Sequence, residues 1–186
     1  MAELEQAADL TSRTDLEIVN LILGGEYEHI SEIMSRYQRP LFGYILRLLN
    51  FNRQDAEDVL SETFIKVYIN LASFKQHLKF SSWLYRIAHN EAVNLIKKKS
   101  KYYLVDIKDL DLSVEKSEEV DYRYDLELIL KALPVDDRNI LILFYLEELS
   151  LKEIAEVLKI TENNAAVKLN RARQKARKIT HNLELP

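Results

Sequence analysis

The sequence predicts an all-α protein of two small helical domains joined by an acidic linker, the second containing a helix-turn-helix. Three observations predict it. Hydrophobic residues make up 47% of 186 positions, enough for packed cores and too many for a disordered chain. Only three glycines and three prolines occur, so turn punctuation is scarce and strand-like alternation has few places to begin or end. Apolar residues recur at helical spacing in two blocks, one ending near Lys101 and one beginning near Leu126, and an acidic stretch separates them.

The elements follow in order. Residues 1–13 read as a tail. Thr14 and Glu17 form a capping box, in which the threonine oxygen takes a free backbone N–H and the glutamate reaches back. A short helix follows and stops at Gly24 and Gly25. From Tyr27 to Leu49, Ile30, Ile33, Met34, Tyr37, Leu41, Tyr44, Ile45 and Leu48 recur at helical spacing. Pro40 lies inside this stretch, removes one ladder bond and is expected to kink or divide it. Asn52 caps a helix whose apolar side is Val59, Leu60, Thr63, Phe64, Val67, Tyr68 and Leu71. A loop around Ser73 to Lys79 leads to a helix from about Ser81 to Lys99, with Leu84, Ile87, Ala88, Ala92 and Leu95 inward. The first domain spans 14–101.

Residues 102–122 read as the linker, since Asp106 to Asp121 has no sustained apolar period. The second domain spans 123–180. Leu126, Ile129, Leu130 and Leu133 restart the helical period, Pro134 interrupts it, and a helix resumes near Asp137 with Ile140, Leu141, Leu143 and Phe144. Ser150 and Glu153 form a second capping box that opens a short helix to Leu158. Thr161 caps the last helix, which runs to about Ile179, and 181–186 is a tail.

Charge narrows the function. The net charge is −4, yet its distribution is uneven. Residues 74–101 carry 7 Lys/Arg against 1 Asp/Glu, and 151–178 carry 8 against 3, whereas 1–73 carry 6 against 12 and 106–122 carry 2 against 7. Two basic blocks between acidic ones suit a nucleic-acid binder that the whole-chain charge conceals. The alternative is two solvated helix faces. The chain has no cysteine, which excludes disulfides and thiolate metal sites and fits a cytoplasmic protein. No apolar run approaches the roughly 18 residues that suggest a membrane span. The acidic N-terminus lacks the apolar core of a secretory leader. No metal-ligand spacing, Gly-rich phosphate loop or nucleophile elbow occurs, so no catalytic residue, metal or cofactor is expected.

Three segments carry the chemistry. In Ser150 to Arg177 a short capped helix, a brief turn at Lys159 to Thr161 and a basic helix make a helix-turn-helix, whose second helix can enter the DNA major groove. Ala165, Leu169, Ala172 and Ala176 lie on one side of that helix, and Asn164, Lys168, Arg171 and Lys175 on another. Asparagine can pair with adenine edges, and Arg or Lys with guanine or phosphate. An ordinary helical hairpin with a solvated basic face is the competing reading. In Phe74 to Lys101, Phe74, Phe80, Trp83 and Tyr85 mingle with Lys75, Lys79 and Arg86, and Lys97 to Lys99 close the run. That mixture suits single-stranded DNA. The competing reading makes the aromatics core, above all Trp83 and Tyr85, and the lysines a complement to a helix C-terminus. In the third segment Asp55, Asp58 and Glu62 stand at i, i+3 and i+7 on one helix face, which can meet a basic protein partner or simply face water.

Together these segments resemble the extracytoplasmic-function sigma factors of bacterial RNA polymerase, over roughly Leu16 to Ile179. DAEDVLSETFIKVY is similar to that family's clamp-binding helix. FSSWLYRIAHNEAVN is similar to its promoter-melting helix. LPVDDRNILILFYLEELSLKEIAEVL with NRARQKAR is similar to its second domain. The resemblance implies a non-enzymatic subunit that directs core polymerase to promoters and aids melting. It implies core polymerase, through its β′ clamp and β flap, and promoter DNA as partners, with an anti-sigma factor as a usual further partner and no membrane insertion. Asp55, Asp58, Ser61, Glu62 and Lys66 would meet the clamp, although most members have glutamine where Ser61 stands. Phe74, Lys75, His77, Lys79, Arg86, His89, Asn90, Asn94 and Lys97 would capture the melted minus-ten strand. Thr161, Asn163, Asn164, Ala166, Val167, Lys168, Arg171 and Lys175 would read the minus-thirty-five element. Many members have Gly-Thr-Val-Lys-Ser-Arg where this chain runs from Asn163 to Lys168, so the sequence read should differ. The alternative function is a helix-turn-helix regulator acting without polymerase, which leaves the acidic face and the aromatic-basic helix unused.

Overall fold

The computed structural model describes residues 13–102 and 122–183. The acidic linker from Asp106 to Asp121 therefore lies outside the described residues, and most of both tails does too. Among the described residues every regular element is helical: α1 Asp15–Leu23, α2 Ile30–Leu48, α3 Arg53–Asn70, α4 Phe80–Tyr102, α5 Tyr122–Ala132, α6 Val135–Leu141, α7 Leu151–Leu158 and α8 Glu162–Asn182. Short 3₁₀ turns at Tyr27–His29 and Leu71–Ser73 join helices, and a π-helical turn, Ile142–Leu146, continues α6.

The starts are set locally. Thr14 and Ser150 each make the full reciprocal capping box with Glu17 and Glu153. Asn52 and Thr161 accept from the backbone N–H groups of Asp55 and Asn164. Each side chain satisfies a donor that a helix N-terminus leaves without an internal partner. Pro40 does not divide α2, which is helical on both sides of it. The lost bond is outweighed by burial, since Ile33, Leu41, Tyr44, Ile45 and Leu48 are all fully buried along the same helix, and tertiary packing supplies most helical stability. Helix α4 begins one residue before the expected start and runs three past the expected end, while α8 runs beyond Ile179 to Asn182.

Helices α2, α3 and α4 pack on one another, with α1 against α2. In the second half α8 packs across α5, α6 and α7. The halves do not stand apart. Helix α4 lies along α7, and α2 meets both α6 and the π turn. One apolar cluster runs from Ile18 and Ile33 through Leu84 and Ala88 to Ile140, Ile154 and Leu169. Arg138 helps to join them. Its buried guanidinium donates to the Leu48 carbonyl at 3.1 Å, beyond which α2 ends, and to those of Leu133 and Lys131 at the end of α5. A cation near helix C-termini complements their exposed carbonyls.

Candidate nucleic-acid and polymerase interface

Helix α3 turns Ala56, Val59, Leu60, Thr63, Phe64 and Val67 inward. The opposite face therefore carries Asp58, Ser61 and Glu62 exposed, with Asp55 and Lys66 half-buried at its edge. Lys99 donates to both Asp55 oxygens, at 2.8 and 2.6 Å. Lys66 reaches Glu91 at 2.5 Å and Glu62 at 3.4 Å. Asp58 and Glu62 are thus the acids most open to a partner.

Sequence periodicity missed what lies beside them. Tyr68 and Met34, expected in the apolar stripes, point outward, and Ile65 and Ile69 are exposed too. With Ile30, Leu60 and Phe64 they line an apolar groove of about 520 Å³ between α2 and α3. Asp58, Glu62, Ile65 and Ile69 fall at i, i+4, i+7 and i+11, so the acidic row continues into an apolar one. The only signal was an apolar arc on α3 too wide for one buried stripe.

The aromatic-basic segment divides into core and surface. Phe74, Phe80 and Trp83 are buried and pack edge-on or tilted at 5.4–5.6 Å between ring centroids. Phe74, expected on the strand-binding loop, belongs to this core. Tyr85 is buried as well. Its cations and amides face out: Lys75, His77, Lys79, Asn90, Asn94 and Lys97 are exposed and Arg86 is half-buried. His89 is held back. Its Nδ1 lies 3.1 Å from the Asn139 amide nitrogen, and the hydroxyl of fully buried Tyr44 donates to the Asn139 oxygen at 2.8 Å. Burial pushes the His89 pKa below its ordinary 6.5, because a charged imidazole loses hydration there.

That shift gives a measurable result. Between the unfolded value near 6.5 and the lower folded value, the unfolded chain binds more protons at this site. The His89 contribution to stability therefore falls as pH drops through that window. Ring titration by NMR, with four histidines to assign, is expected to place the His89 midpoint below 6.5. A midpoint at or above that value would contradict the burial account.

In the second half Lys159 ends α7 in the left-handed conformation, with φ 54°. The chain then turns through Ile160 to Thr161 and enters α8, so α7, the turn and α8 make the expected helix-turn-helix. Ala165, Leu169 and Ala172 are buried. Thr161, Asn163, Asn164, Val167 and Arg171 are exposed, while Ala166, Lys168 and Lys175 are half-buried. Two of the expected DNA cations are already paired. Lys175 donates to buried Asp137, and Arg171 lies 3.6 Å from the same carboxylate. Asn170 and Gln174, not singled out in the sequence, are exposed beside Val167. Arg173 stacks over Phe144 and Tyr145 and donates to the Tyr145 hydroxyl at 2.7 Å, pinning α8 to the π turn. Elsewhere Glu26, Glu28 and His29 cluster at the surface, where His29 is hydrogen-bonded to Glu26 and Glu32. No described helix is long and apolar enough to cross a membrane.

Comparison with known proteins matches this layout. The Sigma-70 region 2 family model covers residues 33–102 and the Sigma-70 region 4 model covers 123–175. SigW of Bacillus subtilis is 32% identical over 180 residues, covering 86% of this chain and 92% of that one. SigM of the same organism is 30% identical over 155 residues, covering 81% and 94%. Both are ECF RNA polymerase sigma factors. Among solved structures, RpoE from Bartonella quintana, in complex with the anti-sigma factor NepR, aligns with a TM-score of 0.67 at 19% identity over 81% of this chain and 96% of RpoE. CnrH, in complex with the cytosolic domain of CnrY, aligns at 0.66 with 18% identity over 90% and 97%. These two likenesses establish the shared helical fold. With both sigma regions in order along the chain, and relatives matched over most of their length, the protein belongs to the extracytoplasmic-function RNA polymerase sigma factors and directs RNA polymerase in transcription.

Proposed function

We propose that the chain divides this work among three surfaces. The exposed row of α3, with Asp58, Ser61 and Glu62 flanked by Asp55 and Lys66, meets basic helices of the β′ clamp, and the contact extends onto Ile65 and Ile69. An apolar centre beside a polar rim is the usual anatomy of a stable interface. Lys75, His77, Lys79, Arg86, His89, Asn90, Asn94 and Lys97 hold the melted minus-ten strand. Extruding a base costs a few kcal/mol, and pocketing or stacking at about 1–3 kcal/mol per base can offset it. The chain supplies no catalytic group to nucleotide addition; it positions the polymerase, and it works in the cytoplasm. An anti-sigma partner is part of this reading, since RpoE was solved with the anti-sigma factor NepR.

The second half meets the β flap and reads duplex DNA through α8. The observation that carries the reading is the composition of its exposed edge. Asn163, Asn164, Val167, Asn170 and Gln174 stand open, with Lys168 and Arg171 alongside. Amides suit adenine edges and an apolar side chain suits a thymine methyl. Lys168→Ala is expected to weaken promoter binding similarly across sequences and to reduce the salt slope by about one counterion. Asn164→Ala is expected instead to alter preference at one position of the minus-thirty-five element. Arg171→Ala should behave like Lys168→Ala if it reaches phosphate. Titration of promoter variants at several salt concentrations checks all three; equal losses on every variant would contradict base reading by Asn164.

A further inference from the structure

A cluster of ligating side chains stands at the turn between α1 and α2, outside the three surfaces assigned above. Glu26, Glu28 and His29 each bring one donor atom within 4.8 Å of the others. The 3₁₀ turn Tyr27–His29 gathers residues whose spacing in the sequence suggested no ligand set. His29 Nε2 already lies 3.3 Å from Glu26 Oε2. The other ring nitrogen is taken. Nδ1 is 2.5 Å from Glu32 Oε1, and the Arg13 guanidinium is 3.2 Å from the same oxygen. When Nδ1 carries the ring proton and donates it to Glu32, the Nε2 lone pair faces Glu26 and Glu28. Glu32 adds an independent observation. Its side chain is only 7% exposed, and its second oxygen, Oε2, is buried with no hydrogen-bond partner. A buried carboxylate with a bare oxygen is costly and calls for positive charge, and this one points at the imidazole. Three carboxylates against one guanidinium leave two negative charges in surplus while the ring is neutral.

We propose that Glu26, Glu28 and His29 bind a divalent transition-metal ion of the zinc type, with Glu32 as the buried carboxylate that positions the imidazole. The charge of such an ion equals the surplus. An imidazole ligand disfavours calcium and magnesium, which take oxygen donors. A mixed set of nitrogen and oxygen without thiolate is one that zinc accepts. Donors about 2.0–2.2 Å from the ion require only small rotations, because both glutamates are exposed. Water completes the coordination, as at other zinc ions with three protein ligands. A metal-bound histidine nearly always donates its other N–H to a carboxylate, carbonyl or water, which fixes the tautomer and makes the ring a better ligand. Glu32 is placed for that role. Through the ring, the charge of the ion also offsets the bare Glu32 oxygen. The bound ion ties the turn to the start of α2, where α1 packs, and stabilises the fold as a ligand of the native state does.

Calorimetric titration of zinc into the whole, metal-free chain tests this, at a pH above the histidine range so that protons do not compete. The expected result is one zinc per chain, with a dissociation constant of about 1 μM or lower, and a raised thermal midpoint. Cobalt(II), which takes similar donors, should give visible absorption bands at the same stoichiometry. His29→Gln should abolish both signals. His181→Gln, exposed near the end of α8, should leave them unchanged. Glu32→Gln, which keeps the shape, should weaken zinc binding by about 10- to 100-fold, the usual effect of losing a partner that orients a ligand. Circular dichroism reports the fold of each variant. Glu28→Gln should also weaken binding, and it keeps the test decisive if His29→Gln misfolds. That side chain is exposed and makes no internal hydrogen bond among the described residues. No zinc bound by the native chain overturns the proposal, and so does unchanged binding in folded His29→Gln or Glu28→Gln. Full affinity in Glu32→Gln overturns the positioning role of the buried carboxylate.

Discussion

Asp58→Lys with Glu62→Lys is expected to weaken binding to core polymerase by about 30- to 100-fold, the scale on which reversing close charges acts at a complementary interface. Both side chains are exposed on the outer face of α3. Neither holds the fold together. Asp58 makes no salt bridge among the described residues, and Lys66 keeps its 2.5 Å contact with Glu91 if Glu62 is lost. The helix should therefore persist, with its buried face of Val59, Leu60, Thr63 and Phe64 intact. A pull-down or anisotropy titration with core polymerase measures the effect, and circular dichroism verifies the fold. Unchanged affinity in a folded double variant would remove α3 as the docking face. Raised salt should weaken the native complex in the same direction, because rim charges are screened.

Asn90→Ala is expected to lower strand opening by about tenfold, while closed-complex affinity changes little. An amide that reads an extruded base contributes hydrogen bonds worth about 0.5–1.5 kcal/mol each, and they form only once the base has left the stack. Asn90 is exposed on α4 next to His89, with Arg86 one turn away. It makes no internal side-chain hydrogen bond among the described residues, so its loss should leave the fold unchanged. Permanganate reactivity of unpaired thymines reports opening; normal reactivity in the variant would contradict the assignment.

Local features were legible in the sequence. The caps at Thr14, Asn52, Ser150 and Thr161 all form as expected, because capping depends on residues three apart. The helix-turn-helix followed from a capped short helix and a small-residue stripe. The competing reading of Trp83 and Tyr85 as core also holds, although neither belongs to the apolar stripe read from that helix. Features that depend on distant partners were not legible. Tyr44 and Asn139 are 95 residues apart, and Tyr85 and Glu147 are 62 apart. No periodicity links them, so the packing of one half on the other had no local signature. Tyr68 and Met34 illustrate a second limit. Helical spacing identifies an apolar arc but not whether the arc faces the core or an open groove. Phe74 illustrates the reverse, an aromatic beside lysines whose ring is needed inside. Pro40 shows packing overriding a local breaker.

A sigma factor confers promoter-specific initiation on core polymerase. In-vitro transcription with purified core polymerase on a library of bacterial promoter fragments tests it most directly. Defined transcript starts are expected only when chain and core are both present, and they should be lost with Asp58→Lys and Glu62→Lys. Specific duplex binding by the chain alone, with no polymerase-dependent start on any fragment, would contradict it and favour a regulator that acts without polymerase.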